Sequence, residues 1–151
     1  MLFLSTSVLF AEVLFYDNFD TADSAVGNGW SNIGSATIAI ESNAMKISSP
    51  NGTGIRHDFT TITSGELSIQ FDWKVISTDW YVEFFPNNPV THLAMDSTGN
   101  LYYDRYGTML DPVLIKKIGL DTYVHIKMII DYTLSKFNLW VDNEIVKKRK
   151  A

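Results

Sequence analysis

The sequence predicts an all-β protein built from antiparallel strands. Apolar and polar residues alternate with a period of two along residues 67–75, 124–131 and 137–142, which is the pattern of half-buried strands. Clusters of Gly, Pro, Asn, Asp and Ser separate these stretches from shorter apolar ones. No window in residues 12–151 shows the spacing of an amphipathic helix. Short strands divided by frequent turns are typical of a two-sheet sandwich or a barrel.

Length and composition fit one globular domain. The chain has 151 residues, of which 46% are hydrophobic and 19% are charged, so disorder is excluded. The absence of cysteine excludes a disulfide scaffold and a Cys-rich zinc site. A net charge of -5 disfavours nucleic-acid binding, because an acidic chain repels phosphate. We interpret the basic residues 147–150 as an exposed end of the chain.

The N-terminal residues 1–11 have the character of a secretory signal peptide that is cleaved after Ala11. The run is apolar and closes with Val8, Phe10 and Ala11 before Glu12. It is short and lacks a leading Lys or Arg, so we expect a truncated leader; a buried first strand is the alternative. Eleven residues are too few for a membrane span, which needs about 20. The protein is therefore expected to be secreted, either extracellular or periplasmic.

The body, residues 12–151, is expected to be a single domain. Phe71 and Trp73 lie on the apolar face of the stretch 67–75 and are expected to be core residues. Asp142 and Asn143 form a tight-hairpin signal because both tolerate positive φ. Trp30 is expected in a loop that plugs one end of the sandwich. The shorter predicted strands are 13–19, 36–41, 44–48, 55–61, 80–85, 92–96, 101–105, 113–116 and 144–148.

Three stretches carry a family resemblance. They are Phe15-Tyr-Asp-Asn-Phe-Asp20 followed by Gly29-Trp30, then residues 42–48, and finally the paired stretches 123–131 and 136–143. The sequence resembles the concanavalin A-like jelly roll in its laminin-G-like, secreted bacterial form. Members typically carry an aromatic-x-His strand that ends in Asp, then a turn and a strand that ends in Val-Asp-Gly. Here Asn143 stands where Gly is usual, and either residue suits the turn.

The resemblance implies an antiparallel two-sheet jelly-roll sandwich. Such domains usually close with one further strand, which returns beside the first strand. This chain stops at Ala151 soon after the last hairpin. Either the chain is a fragment or this version of the domain lacks that strand, and in the second case residues 13–19 would lie at a sheet edge.

The segment that contains Asp17, Asn18, Asp20 and Asp23 is the candidate metal site. It is rich in side-chain oxygens and loop-like, and hard cations such as calcium prefer oxygen ligands. Jelly-roll relatives often bind a structural calcium near this position. The alternative is that these residues only cap and solvate a loop.

Enzyme activity stays uncertain, with the balance against it. There is no Gly-x-Ser-x-Gly nucleophile motif, and the His residues are scattered. Glucanases of the related fold carry Glu-x-Asp-x-(x)-Glu on one strand, and its lyases carry Gln-x-His and Tyr-x-Lys-x-Gly; none of these motifs is present. Glu83 and Asp104 are the carboxyls that neighbouring strands could bring together, as glycoside hydrolysis requires.

Sugar binding without catalysis needs aromatic rings for stacking and planar polar side chains for hydroxyl groups. Mixed aromatic and acidic faces occur on two successive strands, and Trp140 points away from its apolar neighbours. The alternative is that these aromatics pack across strand pairs within the fold. The candidate ligand residues are Tyr81, Glu83, Phe85, Tyr102, Asp104, Tyr106 and Trp140.

The sequence thus favours a non-catalytic carbohydrate-binding or adhesion module of a secreted or cell-envelope protein. Its expected partner is a polysaccharide or glycan, with neither nucleic acid nor a membrane span involved. The first alternative is a structural or protein-interaction domain of a larger envelope protein, with other envelope proteins as partners. The second alternative is a divergent glycoside hydrolase or polysaccharide lyase.

Overall fold

The computed structural model of the chain describes residues 30–40, 44–48, 54–58, 62–78, 81–84, 92–104 and 112–148. All regular structure in these ranges is β-strand, and every strand pair is antiparallel. The all-β prediction is therefore confirmed. The chain divides into two compact units, Met1–Thr61 and Ile62–Ala151. In the described ranges, no helix has the length and apolar character needed to cross a bilayer.

The first unit contains one hairpin nested inside a second strand pair. The outer pair joins β1 to β4, with Trp30 opposite His57, and the inner pair joins β2 to β3. The expectation that Trp30 lies in a loop is wrong, because Trp30 begins β1 and its ring meets that of His57 edge-on at 5.3 Å. Its Gly, Asn and Ser neighbours favour a turn, but pairing with β4 satisfies the backbone and overrides them. The strands are β1 Trp30–Ile33, β2 Thr37–Ile40, β3 Met45–Ser48 and β4 Gly54–His57.

The second unit contains two four-stranded sheets. Sheet I has the order β12-β11-β10-β5, and sheet II has the order β6-β7-β8-β9. Each strand lies within two residues of the boundaries that the alternation predicts. The strands are β5 Glu66–Trp73, β6 Tyr81–Phe84, β7 His92–Asp96, β8 Asn100–Asp104, β9 Val113–Lys117, β10 Val124–Asp131, β11 Lys136–Val141 and β12 Glu144–Lys148.

Sheets I and II share one apolar cluster. Alternate residues of β10 and β11 are buried, and residues of β7 and β8 join them from sheet II. The rings of Tyr103 in sheet II and Phe137 in sheet I lie 5.0 Å apart. Phe71 and Trp73 pack against this cluster, as predicted. Burying each large aliphatic side chain contributes about 1.5–3 kcal/mol, so this cluster holds the two sheets together.

Two turns fix how neighbouring strands connect. Asp142 and Asn143 have φ angles of 51° and 65°, which is the geometry of a tight hairpin between β11 and β12 and confirms that prediction. Gly99, in the turn between β7 and β8, accepts hydrogen bonds from the amides of Ile118 and Gly119 at 2.9 and 3.0 Å. The turn of sheet II is thereby fastened to the connection that leads into sheet I.

Candidate ligand-binding face

Sheet I has one face in the core and one face turned away from it. The outward residues are those at the alternate positions that are half-buried or exposed on β5, β10 and β11. We call this surface the outer face of sheet I. It consists of Glu66, Ser68, Gln70, Asp72, His125, Lys127, Ile129, Asp131, Lys136, Asn138 and Trp140, with Ile145 of β12 beside them.

Trp140 lies near the middle of the outer face. The strand register sets Gln70 opposite Lys127, Lys127 opposite Trp140, and Trp140 opposite Ile145, so these four residues form one row across the sheet. The Nζ atom of Lys127 lies 5.6 Å from the centroid of the Trp140 ring. At this distance an ammonium is attracted to the electron-rich face of the indole. The row thus combines an amide, a cation, an aromatic ring and an exposed aliphatic side chain.

The polar groups around Trp140 are not used by the fold. Within the described part of the chain, the side chains of Gln70, Asn138 and Lys127 make no hydrogen bond or ion pair with another protein group. None of them is a buried unsatisfied group, so their polar atoms reach solvent. Such groups can exchange water for the hydroxyl groups of a ligand at little cost.

A histidine–aspartate pair lies in the row next to that of Trp140. The Nδ1 atom of His125 lies 2.8 Å from Oδ1 of Asp72, and the two side chains are 37% and 69% exposed. The backbone amide of His125 also donates to Oδ1 of Asp142 at 3.1 Å. The Asp72 carboxylate is therefore already partnered, while the side-chain amide of Gln70 in the neighbouring row is open.

The predicted site on sheet II has a different character. The register sets Glu83 and Tyr102 on either side of Ala94, and sets Tyr81 opposite Asp96. The sheet thus brings three of the candidate residues into neighbouring rows. The centre of this region is closed, because Ala94 is fully buried and Asp104 is only 1% exposed.

Asp104 lies opposite His92, and both are buried. The Nδ1 atom of His92 is 3.8 Å from Oδ2 of Asp104. In the register, Glu83 is two strands and two residues away from Asp104. Ordinary strand spacings then give a distance of about 12 Å between their Cα atoms. Glu83 and Asp104 are therefore not set opposite one another.

Tyr102 serves the turn between β7 and β8. Its hydroxyl donates to Oδ2 of Asp96 at 3.0 Å, as does the Asn100 amide. The backbone amides of Thr98 and Asn100 and the Thr98 hydroxyl donate to Oδ1 at 2.8–3.0 Å. Burial alone would raise the pKa of Asp96, but together these hydrogen bonds hold it well below its ordinary value. Because so many donors point at the carboxylate, this turn is built to hold Asp96 ionised.

The structure separates Trp140 from the other candidates. Trp140 lies on the outer face of sheet I, whereas Tyr102 and Asp104 lie in sheet II, across the shared core. Tyr81 and Glu83 occupy strand β6, and Phe85 and Tyr106 lie outside the described residues. Sequence reasoning missed Gln70, Lys127 and Asn138, because alternation assigns each to an outward face but does not reveal which strands are neighbours.

The predicted calcium ligands Asp17, Asn18, Asp20 and Asp23 also lie outside the described residues, and the calcium site stays a prediction. Among the residues that the structure does describe, no group of three or more His, Asp or Glu side chains is arranged to hold a metal ion.

Comparison of this chain with protein-family models, curated proteins and solved structures finds no significant match. The resemblance to concanavalin A-like domains therefore rests on the sequence motifs alone, and function has to be argued from the surface itself.

Proposed function

We propose that the protein is a non-catalytic carbohydrate-binding or adhesion module of a secreted or cell-envelope protein, and that it binds its ligand on the outer face of sheet I. The observation that carries this proposal is the half-buried Trp140, which has Lys127 over its ring and, beside it, the amides of Gln70 and Asn138, which make no hydrogen bond within the described residues.

The chemistry of this face suits a sugar. A pyranose ring has apolar C–H surfaces that pack on an aromatic ring, and hydroxyl groups that need planar donors and acceptors at its edge. Gln70 and Asn138 each offer one acceptor and two donors. Three strand spacings separate Gln70 from Ile145, so the row is about 14 Å long, enough for roughly two or three sugar rings.

The setting of this face adds support. Two antiparallel sheets with a common core are what a jelly-roll sandwich requires, and we propose that fold on the sequence motifs described above. Placement outside the cytoplasm is supported by the apolar segment that ends at Ala11.

Affinity electrophoresis tests the proposal. The full chain is run through native gels that contain plant, algal or microbial polysaccharides, one in each gel. We expect retardation in at least one gel, and its loss in the Trp140→Ala variant, because the stacking surface is gone. Tyr123→Ala is the matched control, since Tyr123 is an exposed aromatic that also lies under a lysine, Lys74, at 5.0 Å.

Two results would contradict the proposal. The first is the absence of retardation by every polysaccharide. The second is equal retardation of Trp140→Ala and the wild type while thermal melting shows both proteins folded.

A second candidate function, a protein-interaction domain, is favoured by one observation. Ile145 is 41% exposed directly across from Trp140, and exposed aliphatic area beside an aromatic ring is typical of the centre of a protein interface. That function predicts that Ile145→Ser weakens binding to another envelope protein. The same substitution at the edge of a sugar site would have little effect on polysaccharide retardation.

A further inference from the structure

We infer that the outer face of sheet I selects sugars that carry a negative charge, a carboxylate or a sulfate group, and that Lys127 is the residue that selects them. This inference rests on the proposed carbohydrate-binding function and adds the class of ligand.

The first reason is that the Lys127 charge has no protein counter-ion. Among the described residues, its ammonium interacts only with the Trp140 ring. Lys74 also lies over an aromatic ring, that of Tyr123, but its ammonium is 2.9 Å from Oδ1 of Asp121. The hydrogen bond to Asp121 raises the pKa of Lys74. Two aromatic–lysine pairs thus differ in whether the cation is neutralised.

A second comparison gives the same contrast. Lys116 of sheet II lies 3.7 Å from a carboxylate oxygen of Asp142 and 3.5 Å from one of Glu144. Its charge is neutralised at the edge where β9 approaches the hairpin between β11 and β12. Lys127 lies in the interior of sheet I and has only an amide, Gln70, across from it on β5.

The second reason concerns the carboxylates on the same face. Asp72 is in the next row and its Oδ1 atom is 2.8 Å from His125. Asp131 is farther along β10, and its Oδ1 atom accepts a hydrogen bond from the amide of Leu134 at 2.9 Å. Glu66 lies opposite Asp131 at the far end of the face. Among the described residues, none of these three carboxylates forms an ion pair with Lys127, so its ammonium is not directly neutralised on this face.

The third reason is the position of this charge relative to the ring. A sugar that packs against Trp140 lies within a few ångströms of the Lys127 ammonium, since the two protein groups are 5.6 Å apart. An anionic substituent on that sugar gains a charge-assisted contact that a hydroxyl group does not. The chain as a whole has a net charge of -5. The selectivity therefore has to arise from this short-range contact and not from long-range attraction.

The test compares charged and uncharged forms of the same polymer. Affinity electrophoresis of the full chain uses polygalacturonate against its fully methyl-esterified form, and dextran sulfate against dextran. The first pair tests a carboxylate and the second tests a sulfate. The variants are Lys127→Met, which keeps a long apolar side chain beside Trp140, and Lys127→Arg, which keeps the charge. The control is Lys117→Met, because Lys117 is an exposed strand lysine of sheet II.

We expect the wild type to bind at least one charged polymer more tightly than its uncharged partner, by about two- to fivefold for a partly exposed ion pair. Lys127→Met is expected to abolish that preference, while Lys127→Arg and Lys117→Met retain it. Preference for polygalacturonate alone would identify the ligand group as a carboxylate, and preference for dextran sulfate alone would identify it as a sulfate.

Failure of this inference is distinct from failure of the proposed function. Equal binding of charged and uncharged polymers, or a preference that survives in Lys127→Met, would overturn the role of Lys127. If Trp140→Ala still abolished that binding, the carbohydrate-binding function would stand. Absence of binding to any polysaccharide, charged or neutral, would overturn both.

Discussion

At the scale of single residues, Gly99 is required by both its backbone angle and its surroundings. Its φ is 76°, and a Cβ atom there would lie 2.4 Å from the carbonyl carbon of Gly119 and 2.7 Å from the amide nitrogen of Leu120. These neighbours are backbone atoms and cannot rotate away. Only glycine therefore lets the β7–β8 turn approach the connection into sheet I.

We predict that Gly99→Ala lowers the free energy of unfolding by at least about 3 kcal/mol, from the left-handed backbone strain and the backbone displacement together. Gly65→Ala is the matched control, because Gly65 has a φ of 82° but nothing within 4 Å of a Cβ atom. Gly65→Ala should lower the free energy of unfolding by only about 1–2 kcal/mol, because it introduces the left-handed backbone strain alone. Urea unfolding of both variants measures the difference. Equal losses of unfolding free energy would contradict the requirement for glycine beside Gly119.

Asp96 gives a residue-scale prediction about pH. Its pKa is held below the ordinary value, which is about 3.9 in an unfolded chain. A carboxylate with a depressed pKa stabilises the folded state above the unfolded pKa, and this stabilisation is lost as the pH falls. The Asp96→Asn variant loses it at every pH, since its amide cannot accept at both side-chain atoms.

We therefore predict that Asp96→Asn is less stable than the wild type near pH 7. The difference in unfolding free energy between the two proteins should become smaller below about pH 4. Urea unfolding at a series of pH values checks this. A gap that stays constant between pH 7 and pH 3 would mean that the hydrogen bonds to Asp96 do not depend on its ionisation.

At the scale of single elements, β10 best displays the two faces of sheet I. Ile126 is fully buried in the core cluster, whereas Ile129 lies on the outer face and is half-buried. The two side chains are chemically identical and belong to the same central strand. Any difference between their truncations therefore reports the packing on the two faces.

We predict that Ile126→Ala costs about 2–5 kcal/mol of unfolding free energy, because it leaves a cavity in a packed core. Ile129→Ala should cost about 1 kcal/mol or less, the range of strand propensity at a partly exposed position. Comparable costs would indicate that the outer face is covered as fully as the core, and would remove the case for a ligand there.

The strands also show which parts of the fold can be read from sequence. The alternation in β5 and β10 identified both strands and their inward residues, because period two follows directly from strand geometry. Strand β1 was missed, since four residues with Gly and Asn nearby carry no periodic signal until β4 pairs with them. The neighbours of a strand depend on contacts distant in sequence, which alternation does not encode.

At the scale of the whole molecule, the candidate site could be predicted only in part, because alternation does not show which strands are neighbours. Trp140 could be selected from sequence because it breaks the apolar alternation of its strand. Lys127 and Gln70 could not be joined to it, because the row that contains all three depends on β5 pairing with β10 over a separation of more than fifty residues. Tyr102 and Asp104 were correctly assigned to one side of β8, but alternation does not reveal that Asp104 is buried.

Export gives one whole-chain prediction. When the gene is expressed in a bacterium with its complete natural leader, the exported protein should begin at Glu12, because the apolar run closes with Ala11. N-terminal sequencing of the protein from the periplasm or medium checks this. Recovery in the cytoplasm only, with the leader retained, would contradict it.

We propose above all that the ligand lies on the outer face of sheet I. The most direct measurement is a nuclear magnetic resonance titration of the isotopically labelled full chain with an oligosaccharide of the polymer that retards it in affinity electrophoresis. We predict chemical-shift changes for the Trp140 indole and for the side-chain amides of Gln70 and Asn138. The resonances of the β8 residues should stay unchanged. Shifts confined to Tyr102 and its neighbours, or no shifts at saturating oligosaccharide, would contradict it.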